Sequence, residues 1–129
     1  GDKGSLGYFG YSYFVENQDK LKMVGIDAGE GCVYPTNETI NDGSYAPLSR
    51  PLFIYVSKKS WQIQEVKDFV SYYVSFERAG LLEELGFVPF PETVHNLVLD
   101  RFTRGLTGTI FGGEVPSNGS VEEILTANQ

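Results

Sequence analysis

Few side chains in this 129-residue chain could do chemistry: one histidine, His95, one cysteine, Cys32, and two adjacent carboxylates, Glu83 and Glu84. A histidine working as a general base needs an orienting carboxylate and a nucleophile within reach. As a metal ligand it needs companions, and the sequence holds no second histidine. His95 lies between apolar positions of a helical pattern, so it reads as a structural or surface residue. Cys32 has no partner for a disulfide or a thiolate cluster. Glu83 and Glu84 are neighbours, and adjacent residues on a helix point in different directions, so the pair reads as a solvated face. The glycines of "GYFGYSYF", residues 7–14, fit neither the phosphate loop nor the dinucleotide fingerprint and read as strand packing. Asn37-Glu38-Thr39 and Asn118-Gly119-Ser120 match the glycosylation acceptor pattern, which is short enough to arise by chance. No nucleophile is assembled, and no catalytic residue, metal site or cofactor is expected.

Composition narrows the partners. Seventeen acidic against ten basic residues leave a net charge of -7, which opposes nonspecific binding to nucleic acid or anionic lipid. A small anion stays open, because binding it depends on a few local N–H groups and hydroxyls and only weakly on net charge. No apolar run approaches the roughly 20 residues of a membrane span. The first residues lack the basic and apolar regions of a signal peptide.

The elements that must position any site alternate between strand and helix. Leu6, Tyr8 and Phe9 predict a strand over residues 6–9, with so much ring surface that it should be an inner strand with neighbours from elsewhere. Ser12 to Lys20 reads as a short helix or turn, and Leu21 to Asp27 alternates like a second strand. A glycine-rich and proline-rich loop follows, in which Thr36 can cap one helical turn through Asn37, Glu38, Thr39 and Ile40. Leu52 to Val56 is a continuous apolar run, the pattern of a strand covered on both faces. Val66, Phe69, Val70, Tyr73 and Val74 then share one helical face, with Gly80 or Gly86 to end the segments. Pro91 and Glu92 start another helix, whose Val94, Leu97, Val98, Arg101 and Phe102 face inward up to Gly105. Ser120 caps a terminal helix over Val121 to Leu125. Such alternation predicts an α/β layer architecture.

Taken together and in order, "GSLGYFGYSYFVENQDKLKMVGID", "YPTNETINDGSYAPLSRPLFIYV", "FVSYYV" and "LGFVPFP" resemble the C-terminal part of the phosphate-binding subunit of bacterial phosphate ABC importers. The likeness runs from Gly4 to about Phe111. It implies the C-terminal portion of a type II periplasmic-binding-protein fold, a mixed sheet with flanking helices, with the anion held between two lobes. Residues 1–46 would end the second lobe and residues 47–129 would return to the first. The aromatic stretch at 7–14 would then be a late strand of a sheet whose earlier strands lie outside the sequence. "SYAPLSRP" would be the return crossover, stiffened by two prolines.

The family's main phosphate-holding elements, an early Thr-rich loop, a carboxylate and an Arg with a Ser-Gly-Thr segment, match no position of this chain. The residues able to approach the cleft are Tyr11 and Ser12 after the aromatic strand and Ser49 and Arg50 at the crossover. Packing for Tyr11 and pairing with an acid for Arg50 are the competing roles. The resemblance implies a periplasmic or extracellular receptor that hands inorganic phosphate to ABC permease subunits without chemical change, its signal peptide outside this sequence. Its partners would be phosphate, the permease and the N-terminal part of the same protein. The alternative is a detached C-terminal interaction module that binds a protein partner or its missing half through exposed sheet edges.

Overall fold

The computed structural model describes residues 2–29, 31–111 and 119–128. Among them are six α-helices, two 3₁₀ turns and one hairpin: α1 (Tyr11–Val15), β1 (Ile26–Asp27), β2 (Cys32–Val33), α2 (Asn37–Asn41), a 3₁₀ turn at Ser60–Gln62, α3 (Gln64–Val74), a second at Phe76–Arg78, α4 (Ala79–Glu84), α5 (Glu92–Thr103) and α6 (Val121–Ala127).

The helices begin and end where local chemistry dictates. Thr36 accepts from the Thr39 N–H at 3.1 Å while the Thr39 hydroxyl accepts from the Thr36 N–H at 2.9 Å, a reciprocal cap that secures the first turn of α2. Ser120 and Glu123 do the same for α6, at 3.2 and 3.0 Å. Helix α4 ends at Gly86 and α5 at Gly105, both with positive φ, +74° and +66°. In each case the glycine N–H and the next N–H turn back onto the last helical carbonyls: Gly86 to Glu83 and Phe87 to Leu82, Gly105 to Phe102 and Leu106 to Arg101. Only glycine enters that left-handed conformation without a Cβ penalty.

The core sits where the helices of the later part of the chain meet. Val70, Ala79, Val94 and Leu125 are its buried apolar residues, one each from α3, α4, α5 and α6, and Val94 is only 2% exposed. The contacts around them are specific. Trp61 donates its Nε1–H to the Phe102 carbonyl at 2.8 Å, with the Lys67 ammonium 4.0 Å above its ring. Gly105 leaves room for that indole, since a Cβ there would lie 2.9 Å from it. His95 Nδ1 lies 2.7 Å from the Val74 carbonyl, and its ring meets Phe76 edge-on at 5.6 Å. His95 is thus a packing residue that joins α5 to the end of α3. On the inward side of α5, Leu97, Val98, Arg101 and Phe102 are half-buried, and Arg101 donates to the carbonyls of Asn128 and Gly108, each at 3.3 Å.

The strands depart from expectation. The mixed sheet is reduced, among the described residues, to the antiparallel pair β1–β2, with Ile26 opposite Val33 and Asp27 opposite Cys32. Only the last two residues of Leu21 to Asp27 pair. The aromatic strand at residues 6–9 is absent, with Leu6 85% exposed, and Tyr11–Val15 is helical. The run Leu52 to Val56 is neither paired nor covered on both faces: Tyr55 is 92% exposed and Leu52 77%. A strand forms only where a neighbour offers its backbone, and no backbone hydrogen bond ties either segment to another described part of the chain. The same lack of cover reaches α3, whose Val70 is buried but whose Phe69 and Tyr73 stay more than half exposed.

Among the described residues, close contacts join the first 46 residues to the later part of the chain. Ser12 of α1 packs so closely on Gly86 that a Cβ there would lie 2.8 Å from the serine Cβ. Asn41 donates to the Pro89 carbonyl at 3.0 Å. Gly43 abuts the Gly119 carbonyl, where a Cβ would come within 2.6 Å.

Candidate functional site

The segment Tyr45–Pro51 carries two of the four residues singled out for the cleft. Ser49 is half-buried and turns inward on its own loop, its hydroxyl donating to the Tyr45 carbonyl at 2.7 Å and its N–H reaching the same oxygen at 3.3 Å. Arg50 follows directly and is exposed. Among the described residues no carboxylate lies within ion-pair distance of it. The expected competing role for Arg50, pairing with an acid, is not found there.

Tyr11 and Ser12 open α1, just after the N-cap residue Gly10. Both are half-buried. The Tyr11 ring stacks on Phe14 at 6.3 Å, and Ser12 is engaged with Gly86. For Tyr11 the packing role is the one on view. Among the described residues no hydrogen bond joins the pair Tyr11 and Ser12 to the pair Ser49 and Arg50.

Two further residues lie beside the Ser49 loop and carry shifted titrations. Desolvation, with a smaller contribution from the Tyr8 phenol, raises the Tyr45 phenol above its ordinary value. Asp42, just past α2, is held below the usual carboxylate range by Ser44, through its side chain and through a backbone N–H that reaches Oδ1 at 2.8 Å. Nothing in the sequence announced Tyr45.

The larger hollow lies elsewhere. A groove of about 420 Å³ runs between residues 54–57 and α3, lined chiefly by Ile54, Tyr55, Phe69, Val70 and Tyr73. It is open and apolar, unlike a site for a hydrated anion, which needs converging donors. A second hollow, of about 10 Å³, sits between α5 and α6 beside Arg101 and Arg104 and has room for little more than a water. Neither contains Tyr11, Ser12, Ser49 or Arg50. Among the described residues no group of His, Cys, Asp and Glu is arranged to hold a metal, and no helix is long and apolar enough to cross a membrane.

Comparison with known proteins gives the arrangement its context. No family model matches the chain. Protein SphX of Synechococcus elongatus is 40% identical over 128 residues, a stretch that covers 98% of this chain and 37% of SphX. The phosphate-binding protein PstS of Staphylococcus aureus is 43% identical over 100 residues, 77% of this chain and 30% of PstS. Among solved structures, a possible phosphate binding protein from Planctomyces limnophilus superposes with a TM-score of 0.67 at 44% identity, over 82% of this chain and 38% of that one. The chain therefore spans only about a third of the length of these relatives.

Proposed function

Because the chain is a relative of phosphate-binding proteins over about three quarters of its length, we propose that it is part of a solute receptor that binds inorganic phosphate and passes it unchanged to an ABC importer outside the cytoplasm. In this reading residues 1–46 belong to the end of one lobe and residues 47–129 to the return segment of the other, in a type II periplasmic-binding-protein arrangement. The observation that carries it is the agreement of sequence and fold: 43% identity to a phosphate-binding protein and a TM-score of 0.67 to a possible one. No turnover is involved, since the role is recognition.

Within the chain, Arg50 is the residue best suited to meet the anion, with Ser49, Ser12 and Tyr11 as secondary donors. Its charge is free of a carboxylate partner among the described residues, and guanidinium forks match the geometry of phosphate oxygens. A dehydrated oxyanion needs several donors at once, and each lost partner of a buried charged hydrogen bond costs roughly 2–5 kcal/mol. Most of the donors would come from the portion of the relatives' length that this chain does not match.

The test is phosphate calorimetry on the chain and on a chimaera in which it replaces the matching 100 residues of Staphylococcus aureus PstS. The chain alone should show no measurable binding, and the folded chimaera should bind. A folded chimaera that ignores phosphate would overturn the receptor reading, and micromolar binding by the chain alone would overturn the placement of the donors outside it.

A second reading, an interaction module, is favoured by the exposed, unpaired run Leu52–Val56. Unpaired N–H and C=O groups on an apolar segment are a template for another strand. In the receptor reading that strand comes from the same protein, and in the module reading from a partner.

A further inference from the structure

We draw no further inference here: the strongest candidate, the open apolar groove between residues 54–57 and the face of α3 that carries Phe69 and Tyr73, belongs to the two readings already proposed, and nothing in the structure shows any other occupant.

Discussion

The helices from Ser60 onward and the segments before them are built from equally apolar material and end in different states. In the later region Val70, Val94 and Leu125 are buried against one another's helices, and Trp61 and His95 each reach a carbonyl on another element. In the earlier region Leu6, Tyr8, Leu52 and Tyr55 stand in solvent. Apolar content does not separate the two. What differs is whether a segment closes its own backbone hydrogen bonds before it packs: a helix does, so its apolar stripe is free to find another helix, whereas a strand must find its hydrogen-bond partner and its cover together.

The largest expected effect tests that division directly. Val94→Asp places an unpaired carboxylate at the most enclosed position and should cost several kcal/mol, on the order of the whole stability. Ile54→Asp, at a site 45% exposed, should shift the melt by only about ±0.5 kcal/mol. Thermal unfolding followed by circular dichroism compares the two, and equal losses would mean that the Leu52–Val56 segment is part of the core after all.

The next effect concerns the seam between the regions. Gly86→Ala forces a side chain into the left-handed region and onto Ser12, which should cost about 1–2 kcal/mol for the backbone alone. A double variant with Ser12→Gly should recover the part of the steric cost that falls on the serine Cβ and leave the backbone part. No recovery would show that α1 does not rest on Gly86 in solution.

Caps offer a gentler comparison, because the same device appears on both sides. Ser120→Ala should cost about 1 kcal/mol of global stability, since α6 contributes Leu125 to the core. Thr36→Ala removes an equivalent cap from α2, which buries no residue, and should leave the melting temperature nearly unchanged while raising amide exchange at Asn37 to Asn41. A larger drop for Thr36→Ala would move the weight of the fold toward its first half.

The smallest effect is one of pH. A carboxyl held below its ordinary value adds stability that is present above that value and is lost as pH falls through the lowered one, so the contribution of Asp42 should fade only in acid. Asp42 is exposed, so solvent screens most of it. Carboxyl chemical shifts should show Asp42 titrating at lower pH than Asp42 in a Ser44→Ala variant, and coincident curves would remove the Ser44 hydroxyl as a cause, leaving its backbone N–H.

The helices on both sides were legible because their signals are local. Thr36, Ser120, Gly86, Gly105 and the inward spacing of α5 each act within a few residues of where they stand, and each is found in place. The strand at 6–9 and the run Leu52–Val56 were read from equally good patterns, but their pairing depends on segments far away or outside the chain's own reach. The candidate site suffers in the same way. Ser49 and Arg50, like Tyr11 and Ser12, were singled out through the family resemblance and not from types or spacing, because convergence of donors on an anion depends on segments far apart in sequence.

Trp61 is the only tryptophan in the chain. Its indole is wedged between the 3₁₀ turn and α5, hydrogen-bonded at one edge and capped by a lysine. The molecule therefore carries a built-in optical reporter whose emission comes from one place alone. Undocking of α5 should redden it as water reaches the ring, whereas rearrangement of the aromatic stretch near residue 8 should leave it silent. A single fluorescence trace would thus follow the helical half by itself, without a label, while circular dichroism followed the whole.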